Sequence, residues 1–167
     1  MPVVLFVCTG NLCRSPMAEA LLRARLTRDS VNDTRSTWRV ESAGTWAVTG
    51  RPASEYAVEE MAQRGIDLRD HRAREVTREM VEIADVVLAM THQHVDSLKA
   101  AFPDCAHKVY LLSEMIGQRY DVRDPYGGTR REYAHAARDL ERLIEQGYER
   151  IVDLVGESGR QSCTHAS

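Results

Sequence analysis

Apolar and polar positions along this chain follow two rhythms, and the switching between them predicts a layered α/β protein. Val3 to Val7 is an unbroken, valine-rich apolar run, the pattern of a central parallel strand covered on both faces. Trp38 to Ser42 alternates in the β manner and ends at Ala43-Gly44, while Asp85 to Met90 and Val109 to Leu112 read as two further strands. Between them the period changes to that of a helix. Pro16 to Arg28 carries a stripe of Met17, Ala20, Leu21, Ala24 and Leu26, and Ala53 to Arg64 carries Tyr56, Ala57 and Met61 before Gly65 ends it. Thr77 to Ala84 and His92 to Phe102 follow, the latter closed by Pro103. The last helix spans Thr129 to Val155, with Tyr133, Ala137, Leu140, Ile144, Tyr148, Ile151 and Val155 on one face. Thr27 to Thr37 is polar and reads as a loop; Gly156 to Ser167 is small and polar and reads as a flexible tail. Residues 1–155 therefore form one domain and 156–167 a C-terminal extension. Strands joined by helical crossovers predict a small doubly wound, four-stranded parallel sheet with helices on both faces.

Where the first strand ends, the pattern stops being generic. Val7-Cys8-Thr9-Gly10-Asn11-Leu12-Cys13-Arg14-Ser15-Pro16 runs from a buried strand into a tight turn and then into a helix. Gly10 and Asn11 both tolerate positive φ, so the chain can curl back after Cys8. Ser15 suits a helix N-cap and Pro16 the first helical position. The loop from Thr9 to Ser15 would then point its backbone N–H groups into a cup at the positive end of a helix dipole. A cysteine at the floor of that cup has its thiolate stabilised, and Arg14 can fork onto two oxygens of a tetrahedral oxyanion. Five residues between a Cys and an Arg mean little in isolation. Between an apolar strand and a capped helix they point to phosphoryl transfer to sulfur. The plain alternative is that Cys8 is a small buried hydrophobe at a strand end.

Bulk properties narrow the field. The chain has 167 residues, 43% of them hydrophobic, enough for one domain with a substantial core. With 22 basic and 25 acidic residues the net charge is -3, which argues against nucleic acid as a partner. Phosphate affinity must then be local. No apolar run approaches membrane-spanning length, and no basic segment leads an apolar one at the N-terminus. The four cysteines read as thiols, so the expected location is the cytoplasm.

Asp124-Pro125-Tyr126-Gly127-Gly128 is a second cluster. In a loop after the fourth strand, Asp124 can protonate a leaving oxygen and then activate water. The same pattern is also an ordinary turn.

Taken together, Cys8 to Pro16, Ser42-Ala43-Gly44-Thr45, His71-Arg72-Ala73-Arg74 and Asp124-Pro125-Tyr126 resemble the low-molecular-weight protein-tyrosine phosphatases over about residues 3 to 155. The resemblance implies a flavodoxin-like fold and a metal-independent, cofactor-free mechanism through a phosphocysteine on Cys8. Arg14 and the amides of Thr9, Gly10, Asn11, Leu12, Cys13 and Ser15 would hold the phosphate, and Asp124 would act as acid and base. Ser15 would donate to the Cys8 sulfur, while Ser42 and His71 would support the loop around Asn11. Leu12, Trp46 and Tyr126 would line the cleft, although ordinary packing explains Trp46 equally well. Cys13 could close a reversible disulfide with Cys8. Partners would be phosphorylated proteins, met by a monomer or weak homodimer with no membrane.

Some residues lean toward a bacterial branch that includes protein-arginine phosphatases, namely Thr91-His92 and Gly127-Gly128. Arginine-active members of that branch tend to carry threonine where this chain has Leu12, which favours phosphotyrosine here. A thiol-coupled arsenate reductase would need two close cysteines after the third strand, and only Cys105 stands there. A silent phosphate-binding module would not need Cys8, Arg14 and Asp124 together.

Overall fold

The computed structural model describes residues 1–30 and 37–158. The strands are β1 (Val3–Cys8), β2 (Arg39–Gly44), β3 (Val86–Ala89) and β4 (Val109–Leu111). The helices are α1 (Arg14–Asp29), α2 (Glu55–Gln63), α3 (Arg78–Ile83), α4 (His92–Ala101) and α5 (Arg130–Ser158). All strand pairs are parallel, in the order β2-β1-β3-β4. The chain steps from β1 outward to β2, then returns to the other side of β1 for β3. That reversal opens a crevice at the carboxyl ends of β1 and β3, and Cys8 is the last residue of β1.

Every residue of β1 is buried because each face meets a different layer. Val4, Phe6 and Cys8 pack with Met17, Leu22, Leu140 and Tyr148 of α1 and α5. Val3, Leu5 and Val7 pack with Val81, Val95 and Leu98 of α3 and α4. Fully burying a side chain such as Phe6 or Leu5 contributes roughly 1.5–3 kcal/mol, so the strand carrying Cys8 is among the most firmly held parts of the fold.

Differences from the sequence reading fall mostly at element ends. α1 starts at Arg14 with Cys13 as N-cap, so Ser15 is not the cap; its hydroxyl is used elsewhere, as shown below. Thr77 and Thr91 cap α3 and α4 by accepting from Met80 N and His94 N. Pro103–Lys108 and Leu112–Ile116 are 3-10 turns that apolar periodicity did not reveal. α5 continues past Val155 to Ser158, and the rest of the expected tail lies outside the described residues, as does most of the Thr27–Thr37 loop. Cys105 is fully buried. No described helix is long and apolar enough to cross a membrane.

Candidate active site

A cleft of about 200 Å³ opens at the crevice, lined among others by Cys8, Thr9, Leu12, Arg14, Trp46 and Asp124. Among the described residues nothing accepts a hydrogen bond from the amides of residues 9–15. Unused donors at a helix start form an anion cup. The loop turns at Asn11, whose φ of 56° is the one positive value among described non-glycine residues; Gly10 stays out of that region.

The Asn11 side chain explains how the turn is held. It is fully buried, and its Oδ1 accepts from the Arg74 amide at 3.0 Å, which fixes which end is oxygen. Its Nδ2 donates to Ser15 Oγ at 2.8 Å and to Ser42 Oγ at 2.9 Å. Ser42 passes its own hydrogen to Glu19 Oε2 at 2.6 Å. Ser15 already accepts from Asn11, so its hydrogen is left for the Cys8 sulfur 2.8 Å away. A hydroxyl donating to sulfur favours the thiolate. His71 Nε2 donates to the Asn11 carbonyl at 2.8 Å, and partial burial pushes its pKa down against the upward pull of that bond.

Arg14 is buried; its Nη1 donates to the Val122 carbonyl at 3.0 Å and its Nη2 stands 3.4 Å from Asp124 Oδ2. Val122 is strapped to the end of β3 through Met90 O, which brings the distant Asp124 loop to the cup. Asp124 Oδ1 accepts from Tyr126 N and makes the turn, while Oδ2 faces Arg14. Trp46 and Tyr126 are largely exposed, which removes simple core packing as the reason for either. Leu12 is buried but borders the same cleft. Cys13 bonds Ser54 Oγ and Tyr133 OH, and burial raises its pKa toward the neutral thiol.

Three contributors have no role at the loop that the sequence alone assigns. Glu19 lies one helical turn after Ser15, a spacing that could have exposed it. Gly44 lies directly under the loop, where an added Cβ would sit 2.3 Å from Thr9 O. His94 bonds Thr9 from 85 positions away, and no local pattern announces it. Among the described residues no cluster of three His, Cys, Asp or Glu side chains could hold a metal.

A thiol in an amide cup, with an arginine and a carboxylate at its rim, defines a cysteine-based phosphatase class. Residues 3–155 match the model of the low molecular weight phosphotyrosine protein phosphatases. The protein-arginine-phosphatase of Bacillus subtilis strain 168 is 41% identical over 86% of this chain and 92% of its own. A probable low molecular weight protein-tyrosine-phosphatase, EpsP of Ralstonia solanacearum, is 38% identical over 93% of this chain and 97% of its own. The YwlE arginine phosphatase, solved as a mutant with a phosphorylated active-site serine, superposes with a TM-score of 0.83 at 38% identity, covering 90% of this chain and 95% of its own. The chain belongs to the low molecular weight phosphotyrosine protein phosphatase family and is a hydrolytic enzyme acting on phosphoproteins.

Proposed function

We propose that this enzyme hydrolyses phosphotyrosine in proteins through a phosphocysteine on Cys8. The observation that carries the reading is the Ser15 hydroxyl aimed at the Cys8 sulfur beneath a cup that Arg14 closes. The thiolate attacks phosphorus, the S–P bond forms and the P–O bond to the phenol breaks. Arg14 and the amides of residues 9–15 carry the equatorial oxygens, and Asp124 gives its proton to the departing phenolate. Water then attacks phosphorus, Asp124 takes back a proton, and the thiolate leaves. Asn11, Ser42 and His71 hold the loop through both steps. No step calls for a metal. Leu12, Trp46 and Tyr126 present apolar and aromatic surface to the phenyl ring. A cytoplasmic location goes with this reading, because the nucleophile works only while reduced.

Phosphoarginine is the second reading, supported by the 41% identical relative named a protein-arginine-phosphatase. Rates on phosphotyrosine and phosphoarginine peptides, measured side by side with wild type and Cys8→Ser, test both. Faster phosphotyrosine turnover, abolished in Cys8→Ser while phosphate still binds, is expected. Persistent turnover in the variant would place the nucleophile elsewhere.

A further inference from the structure

His94 is a buried imidazole that the mechanism above does not use. It sits in the first turn of α4, where the chain leaves the end of β3, and it reaches across to β1. Its Nε2 lies 2.8 Å from the hydroxyl of Thr9, the residue that follows Cys8, and its Nδ1 lies 3.0 Å from the hydroxyl of Thr91. Thr91 Oγ1 already accepts from the His94 amide at 3.2 Å. Because Thr91 Oγ1 already serves as acceptor for that amide, we assign its hydrogen to Nδ1 and Nε2–H to Thr9 Oγ1, which leaves the one spare hydroxyl hydrogen on Thr9. Thr9 then keeps its own hydroxyl hydrogen free, and Thr9 is exposed and borders the cleft beside Cys8 and Arg14. The backbone of Thr9 is pinned as well, since its carbonyl accepts from Trp46 N at 3.0 Å.

We propose that His94 is a positioning residue that holds the Thr9 hydroxyl as a further hydrogen-bond donor to the phosphoryl group beside Cys8. The inference rests on the phosphate-loop reading above. Burial, with the Arg14 charge next to it, pushes the imidazole down to about 4, so near neutral pH it has only the one ring hydrogen assigned here. Asp124 and Asp121 are the acidic groups facing it, and their pull is the smaller one. Mechanically, the bond ties the residue after the nucleophile to α4, as Asn11 ties the middle of the loop to β2.

The test uses inorganic phosphate as a competitive inhibitor of para-nitrophenyl phosphate hydrolysis. Thr9→Val keeps the shape of threonine without its hydroxyl and is expected to raise the phosphate inhibition constant about tenfold, the size of one charge-assisted hydrogen bond. His94→Leu should give a similar rise, and the double variant should be no weaker than the worse single. His94→Gln, whose amide N–H can reach Thr9, should recover most of the loss. An unchanged inhibition constant in Thr9→Val overturns the proposal. So does a His94→Leu protein that melts earlier but binds phosphate normally, or a double variant whose two effects multiply. If His94→Leu does not fold, Thr9→Val and His94→Gln still decide. Turnover surviving in Cys8→Ser would instead defeat the underlying reading, whatever these ratios show.

Discussion

Arg14 Nη2 and Asp124 Oδ2 stand 3.4 Å apart, with side-chain exposures of 4% and 49%. The arginine is fixed by burial and by the Val122 carbonyl, whereas among the described residues the carboxylate accepts a hydrogen bond from Tyr126 N alone. A phosphate needs the guanidinium fork for itself. Of the two partners the exposed carboxylate is the one free to give way, toward the cleft side from which a leaving group departs.

Asp124→Ala is therefore expected to cut kcat by about 10²–10⁴ for aryl phosphates with poor leaving groups, the usual weight of a general acid. Para-nitrophenyl phosphate, whose leaving group needs less protonation, should lose much less. A plot of log kcat against leaving-group pKa checks this. An equal loss at every leaving group would contradict the role of acid.

Gly44→Ala tests whether β2 sets the shape of the phosphate loop. The new methyl would meet Thr9 O at 2.3 Å, Ala47 Cβ at 3.0 Å and Asn11 N at 3.1 Å, two of which are loop backbone. Backbone cannot swing aside like a flexible side chain, so the loop must shift. Overpacking of this kind costs roughly 1–3 kcal/mol of stability, and a displaced loop about 10²-fold in kcat/KM. Chemical denaturation and steady-state kinetics read the two effects separately. Wild-type kinetics in Gly44→Ala would show that the loop does not depend on this contact.

Acid sensitivity follows from one buried and one half-buried imidazole. His94 is held near 4 in the folded protein and His71 is also lowered, against about 6.5 in the unfolded chain. Between these values the unfolded state binds protons that the folded state refuses, so stability rises with pH. The stabilisation is fully present above about pH 6.5 and is lost as pH falls toward 4. For His94 the loss is on the order of 2 kcal/mol. Urea titrations at pH 7 and pH 5 should show it, with a shallower pH slope in His94→Gln. An unchanged slope would mean that His94 takes up no fewer protons in the native state than in the unfolded one.

How much of this was legible in the sequence depended on how local each feature is. The apolar run of β1 and the seven-position stripe of α5 are local, and the structure places both as read. Propensity alone assigns the Ser15 hydroxyl to the nearest helix start as an N-cap. Here Asn11 and Cys8 claim that hydroxyl, and the helix opens at Arg14. Of the two residues that tolerate positive φ, Asn11 is the one that adopts it. Gly44 and His94 meet the loop only once the sheet has closed, His94 across 85 positions, whereas Glu19 acts on it through Ser42. No window along the chain holds both ends of such contacts.

Leu12 is where substrate choice becomes testable. Its side chain is buried at the cleft edge beside Gly10, its Cγ lying 3.7 Å from where a Cβ on Gly10 would be. Its carbonyl accepts from Ser54 N, which pins the backbone that carries the side chain. An aliphatic group there offers a phenyl ring contact without asking for a hydrogen bond. A guanidinium carries several N–H donors that an aliphatic wall leaves unpaired. Leu12→Thr places a hydroxyl at that edge and removes methyl surface, so it should weaken phosphotyrosine and favour phosphoarginine. Single contacts of this size shift kcat/KM by about 10- to 100-fold between competing substrates. The ratio of kcat/KM for phosphotyrosine over phosphoarginine peptides should accordingly fall by at least about tenfold in the variant. A ratio that stays put would remove Leu12 as the selector and move the choice to Trp46, Tyr126 and the rim they form.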